Sequence, residues 1–593
     1  MKTKRILATL LSVCAMTGVV GMAGCGVDDP GTGGGNVDFV YNVPSDSKIS
    51  IKIKNYGMGT GTLWLEETVE RFAKEKQNTQ YGNKTGVYLD IEVTNKQNTN
   101  LMATDATNIF FDERDSDPYA LMQSELLLNL DSIVKDTSRA GGSLDSKIFE
   151  SAKGGIIGKD GSYYALPHFE YYGGLGYNES IFEELCAYFA ADDEDNVIPY
   201  ASKYGTANFV GDMTAAKSVG PDGKTGVIDG VDYSADDGLP RSLDEFILLC
   251  DYIKFASEEE VYPLTVTGKF YHYYPDMMVI GLWTNLAGAE QMRNYYNCTG
   301  EIEIVERDEQ GNLMFTNENL FPGIDYVKKP KTKWVTMAED GSDGWMGNDM
   351  AAKYYALSIM DIATNEGFFS PSSKSGADHY TAQMDLYMDG KENTNKSAML
   401  IEGSYWYNES NERGGFDYYE AATGQDRNDL RVKWMSLPTS VLKEGAVGKP
   451  ACFTDCGFAY TLVNKNVESD PALKQACLDF VAFCYSEQEL KNFTLRTGMA
   501  RSLVYDFTAE ELSGVSTYPK SIWESRDHKE GSNVVNWAGT TSTFNLVKRR
   551  LSLQLDCGVL SDGLNKQSLL FNSGKHVKDV FADCSLYGNW NTY

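Results

Sequence analysis

Tyr405, Trp406 and Tyr407 follow Glu402-Gly403-Ser404 at the end of the apolar run Ser397-Ala-Met-Leu-Ile401. The run reads as a strand or buried segment, and Gly-Ser is a break after which side chains tend to meet solvent. Three rings there can do specific work: an aromatic face covers the C–H patch of a polyhydroxylated ring while polar neighbours pair the hydroxyls at its rim. An unpaired buried hydroxyl costs about 1–3 kcal/mol. A cleft of this kind therefore needs rings flanked by carboxylates, amides or guanidinium groups. The chain repeats that mixture at Asn55-Tyr56 with Trp64, at Asp112-Glu113-Arg114, at Glu170-Tyr171-Tyr172, and from Glu402 through Ser404 to Trp406.

Other residues enter the candidate binding set with plainer alternatives beside them. Tyr271, Tyr273 and Tyr274 lie in the ring-rich KFYHYYPD, which also suits a half-buried surface. Trp283 and Trp345 fit a core or rim as well as a ligand contact, and Asp112 and Glu113 could cap a helix instead. Asp455, next to a late strand, completes the set. The run Asp192-Asp193-Glu194-Asp195 lacks the glycine and terminal glutamate spacing of a calcium loop and reads as a solvated acidic loop. Five scattered histidines and the single close pair Cys452/Cys456 complete no zinc ligand set, so no metal and no cofactor are expected. Cys477 and Cys484, seven apart, are simplest as core thiols.

The ends of the chain narrow the setting. Residues 1–24 carry Lys2, Lys4 and Arg5, then an apolar stretch too short and interrupted for a membrane span, the layout of an export signal. Met22-Ala-Gly-Cys25 resembles the lipobox of bacterial lipoproteins, which implies cleavage before Cys25, lipidation of its sulfur, and a membrane-anchored protein facing the extracellular side. The Gly- and Asp-rich residues 25–46 read as a flexible tether. With 593 residues, 42% of them hydrophobic, the chain can bury a large core and should form more than one lobe. A formal charge of −31 repels phosphate backbones and makes nucleic acid an improbable partner.

Elements that could position the rings follow from periodicity. Ile49 to Lys54 alternates apolar and polar residues, Leu65, Val69 and Phe72 recur at helical spacing, and Val87, Leu89, Ile91 and Val93 alternate again. Strand, helix and strand in that order predict a right-handed βαβ unit in an α/β fold. Ser242 and Glu245 predict a capping box ahead of a helix, and Asp470-Pro471 predicts another helix start with Leu473, Cys477, Phe480, Val481 and Cys484 on one face. Gly173, Gly174 and Gly176 could absorb a hinge motion or simply form a turn.

The order of these pieces resembles the extracellular solute-binding proteins of carbohydrate ABC transporters, the broad family that includes maltose-binding protein. KISIKIKNYGMGTGTLWLEETVERFAKEK is similar to its first strand and helix, YYALPHFEYYGGLGYNESIFEEL to its crossing between lobes, SAMLIEGSYW to its Ala-Met followed by Gly-Ser-Trp, and GFAYTLVN to its strand returning to lobe one. Here Tyr405 stands between Gly-Ser and tryptophan, which leaves open whether Tyr405 or Trp406 takes the stacking position. The resemblance implies a periplasmic-binding-protein-like fold of type II, with two lobes, each a mixed β-sheet flanked by helices, joined by a hinge. Residues 47–176 and 457–500 would form lobe one, and 177–456 and 501–593 lobe two. It further implies a monomeric, non-enzymatic protein that captures an oligosaccharide ligand between its lobes and passes it to ABC transporter permease subunits. A non-sugar solute in the same fold is one alternative. A surface glycoside hydrolase is another, and it would need two carboxylates about 5–9 Å apart, with Glu170, Glu402 and Asp455 the nominees.

Overall fold

A computed structural model describes residues 37–57, 59–94, 102–113, 118–139, 141–190, 195–214, 227–228, 231–232, 238–271, 274–338, 343–443, 451–455, 459–536 and 574–584. Cys25, Tyr273, Cys456 and most of the acidic run at 192–195 lie outside the described residues. Strand β1 (Ile49–Tyr56) leads through helix α1 (Leu63–Glu75) to β2 (Val87–Thr94), and β3 (Ile109–Glu113) follows. β1 pairs in parallel with both strands, Ile49 opposite Val87 and Ile53 opposite Ile109, which is the expected βαβ arrangement. The alternation of β1 puts Ile49, Ile51 and Ile53 in the core, and α1 covers them with Leu65, Val69 and Phe72.

β4 (Ala165–Pro167) and β5 (Gly173–Asn178) flank the first crossing between lobes. Helix α2 (Leu243–Ala256), β6 (Tyr262–Thr265), α3 (Tyr274–Asn297), α4 (Ala351–Asn365) and α5 (His379–Tyr387) precede β7 (Ser397–Gly403). Then come α6 (Trp406–Glu412), β8 (Val432–Met435), β9 (Phe453–Asp455), β10 (Ala459–Val463), α7 (Pro471–Cys484), α8 (Glu487–Thr497), α9 (Thr517–Ser525) and β11 (Val534–Asn536). Two mixed sheets result. One has the order β2-β1-β3-β10-β4 and the other β6-β7-β5-β8, so the protein is a two-lobed α/β fold. The connection β4 to β5 crosses from the first sheet to the second, and the segment after β9 returns to β10. The chain crosses again after α8, because α9 packs against β8. β9 and β11 pair in parallel beside these crossings.

Local chemistry can be set against expectation at three places. α2 begins after Ser242, but no capping box forms: the Ser242 hydroxyl donates to Asp244, and Glu245 Oε2 accepts from the Arg241 amide instead. Asp470 does cap α7, accepting from the Ala472 and Leu473 amides, and Cys477 and Cys484 are buried free thiols whose ionisation burial suppresses. The glycines of β5 do not form a turn. They sit in a strand paired on both sides, and a Cβ at Gly173 would lie 2.6 Å from the Met277 backbone, one at Gly174 2.5 Å from the Trp434 ring. Their small size lets α3 and Trp434 press onto the strand.

Candidate functional site

Residues 170–172 are the first crossing, and they run alongside the end of β7. The Tyr172 amide donates to Ser404 Oγ at 3.2 Å, and the Ser404 amide returns a bond to the Tyr172 carbonyl at 2.8 Å. This pairing brings Tyr171 over Tyr405, their centroids 5.3 Å apart and planes 26° from parallel. Tyr171 is half-buried and Tyr405 only 5% exposed. Gly403 makes room for the arrangement, since a Cβ there would meet the Tyr405 ring at 2.5 Å. Glu402 is buried beneath, accepting from Gln383 Nε2 at 3.1 Å and from the Gly403 amide at 2.8 Å.

The three crossings are pinned to one another by buried charge. Asp455 Oδ1 accepts from the Tyr171 amide at 3.1 Å, and Oδ2 from Ser502 Oγ at 3.3 Å and Asn536 Nδ2 at 3.1 Å. Beside it, Arg526 makes a two-pronged bond to Glu170, Nε to Oε2 at 2.6 Å and Nη2 to Oε1 at 2.9 Å, with neither side chain exposed. Arg526 Nη2 also donates to the Arg501 carbonyl at 2.9 Å, and the Tyr172 hydroxyl donates to Glu170. Burial and the neighbouring Glu170 carboxylate raise the Tyr172 phenol well above its ordinary range. Burial works against the Arg526 charge, yet Glu170 holds the guanidinium protonated. Arg526 had no signal in the sequence, because its partner lies 356 positions away.

The remaining candidates divide by location. Tyr271 and Tyr274 are half-buried at the start of α3, with the Tyr274 ring 6.0 Å from Phe270 and 6.4 Å from His379. Asn55 and Tyr56 end β1, where Asn55 Nδ2 donates to the Gly61 carbonyl at 3.0 Å and so fixes the backbone at 59–62. Asp112 is buried in β3 opposite Tyr460. Glu113 follows it, its side chain outside the described residues, as is that of Trp345 in the turn at 344–349.

Three tryptophans do not join the junction. Trp64 packs inside lobe one against Phe111, His168 and Phe493 at 4.9–5.2 Å, with Arg501 5.6 Å above its ring. Trp283 is in the interior of lobe two beside Tyr295, 5.3 Å from Lys353 Nζ. The rings after Ser404 do not turn to solvent as expected: Trp406 is fully buried, its ring 5.3 Å from Tyr518 and 6.3 Å from Phe416. The Gly-Ser break redirects the chain into α6, which carries Trp406 inward and leaves Tyr405 at the lobe junction.

No family model and no curated protein matches the sequence. Solved structures do. A chitin oligosaccharide binding protein superposes with a TM-score of 0.51 at 14% identity, over 91% of this chain and 98% of that one. Maltose-bound MalE3 of T. maritima (TM-score 0.49, 10% identity, 91% and 98% covered) and a family 1 extracellular solute-binding protein from Bifidobacterium longum subsp. infantis (0.46, 12%, 92% and 100%) are further matches. The two-sheet topology with its repeated crossings is thus a fold shared with that chitin oligosaccharide binding protein.

Proposed function

We propose that the protein is a lipid-anchored binding protein that captures a carbohydrate, an oligosaccharide by preference, between its lobes and delivers it to the permease of an ABC importer. The observation that carries this reading is the Tyr171–Tyr405 ring pair at the lobe junction, built from one crossing strand and the end of β7. Tyr271 and Tyr274 lie at the head of α3, which packs on the same strand β5. Ring faces of this kind suit the apolar side of a sugar. Asn55, Tyr56, Asp112, Glu113, Glu402, Ser404 and Trp345 are the accompanying candidates. The similar chitin-oligosaccharide-binding protein supports the ligand class.

The division at 47–176 and 457–500 against 177–456 and 501–593 is supported only in outline by the two sheets and by α9 packing on β8: Gly173–Asn178 already pairs within the second sheet, which moves the first boundary to residues 170–172, and residues 502–504 still bond to 147–149 of lobe one. Cleavage before Cys25 and acylation of its sulfur would leave the globule on a tether at the outer membrane face. Sugar binding needs no covalent step, and the carboxylates a hydrolase would use are engaged elsewhere. Glu170 is paired with Arg526, and both Asp455 oxygens accept hydrogen bonds from the crossings. Titration calorimetry against α- and β-linked glucans, xylans, mannans, galactans, fructans and chitin oligosaccharides tests the reading. Saturable binding of at least one class is expected, and silence across the panel would overturn it. Absence of new reducing ends after incubation with the bound sugar separates binding from hydrolysis.

A further inference from the structure

Helix α1 starts in lobe one without a cap of its own: Thr62 occupies the N-cap position and its side chain makes no capping bond. A helix N-terminus in that condition leaves backbone amides unsatisfied and carries partial positive charge. The group that meets it comes from the other lobe. Glu412, at the end of α6, accepts from the Thr62 amide with Oε2 at 3.0 Å. Two further bonds cross the seam from the same helix and its terminus. Asn408 Nδ2 donates to the Gly59 carbonyl at 3.0 Å, and Arg413 Nη2 to the Gly57 carbonyl at 3.2 Å.

Gly57 and residues 59–62, which receive them, are fitted to the carboxylate. Gly61 has φ +69°, and a Cβ there would lie 1.9 Å from Glu412 Oε2, so only glycine admits this approach. Asn55 Nδ2 fixes this backbone from within lobe one by its bond to the Gly61 carbonyl. Burial raises the Glu412 carboxyl above its ordinary range, while the Thr62 and Leu63 amides, Asn408 and Arg496 draw it back. The bond across the seam is made by a single acceptor oxygen, Glu412 Oε2.

We propose that Glu412 is an interlobe latch, a lobe-two carboxylate that caps the first helix of lobe one only when the lobes are together. Part of the closing free energy then comes from the protein itself, and the latch sets how much of it a captured solute must supply. Glu412 acts as a positioning residue through the seam and need not touch the solute. The inference rests on the two-lobed fold and not on the identity of the ligand.

The test uses the whole mature chain with no sugar added, so its outcome is independent of the binding panel. Small-angle scattering reads lobe separation, and hydrogen exchange reads the amides at 62–65. Removing a helix cap weakens the capped state by about fivefold to tenfold. Glu412→Ala is accordingly expected to raise the radius of gyration and to speed exchange at 62–65 about fivefold, with β1 amides unchanged. Glu412→Gln, which keeps an acceptor oxygen, is expected to stay near the parent in both. An alanine variant with the parent's scattering and exchange would overturn the latch, as would faster exchange in the core strand β1 together with 62–65. If Glu412→Ala fails to fold, Asn408→Ala decides the matter, because loss of its bond to Gly59 must by itself loosen the seam and unchanged scattering would refute it.

Discussion

Arg526→Ala is expected to lower the unfolding free energy by about 3–5 kcal/mol, because it strands the Glu170 carboxylate in a site with no solvent access. The cost arises less from the lost attraction than from leaving one charge buried and unpaired. Glu170→Ala should cost a similar amount for the mirror reason, since among the described residues it leaves the guanidinium with the Arg501 carbonyl and the faces of Phe149 and Trp523. The double variant should recover much of the loss, as removing both partners of a buried pair is far gentler than removing one. Urea melts of the four proteins make the cycle. If either single variant lost less than about 1 kcal/mol, this pair could not be what fastens the third crossing to the first.

That ion pair also marks the limit of what the chain discloses locally. The βαβ unit and the α7 face are short-range patterns whose period is set by strand and helix geometry, and the structure has both, whereas the crossing at Leu166-Pro167 was legible only through the family resemblance. The relation of Glu170 to Arg526, or of Glu412 to Thr62, is a matter of how two lobes dock, and no period encodes contacts 356 or 350 positions apart. The capping box at Ser242 failed for a nearer reason: Asp244 competes for the serine hydroxyl, and the Glu245 carboxylate pairs one residue earlier than the motif requires. Ring-rich segments were legible as candidates, but the direction each ring faces depends on the turn that precedes it. Ser404 pairs with Tyr172 and so holds Tyr405 at the junction, whereas one residue later the start of α6 swings Trp406 into the interior.

This difference of one position gives two alanine variants opposite phenotypes. Trp406→Ala is expected to destabilise the protein by about 3–5 kcal/mol, the cost of emptying a fully buried indole site among Tyr387, Tyr407, Phe416 and Tyr518. Tyr171→Ala removes a half-buried ring whose backbone bond to Asp455 does not depend on the side chain, so its effect on stability should be about 1 kcal/mol or less. On binding the order reverses. Loss of a stacking face worth about 1.4 kcal/mol weakens affinity roughly tenfold, and Tyr171→Ala should show that loss for whichever oligosaccharide the panel identifies. Trp406→Ala, measured well below its lowered melting point, should keep affinity within about threefold of the parent, because the indole is fully buried among Tyr387, Tyr407, Phe416 and Tyr518. Paired thermal melts and calorimetry on the two variants check both halves. A Trp406→Ala protein that melts like the parent but no longer binds would place the stacking surface on the indole and remove the Tyr171–Tyr405 pair from the site.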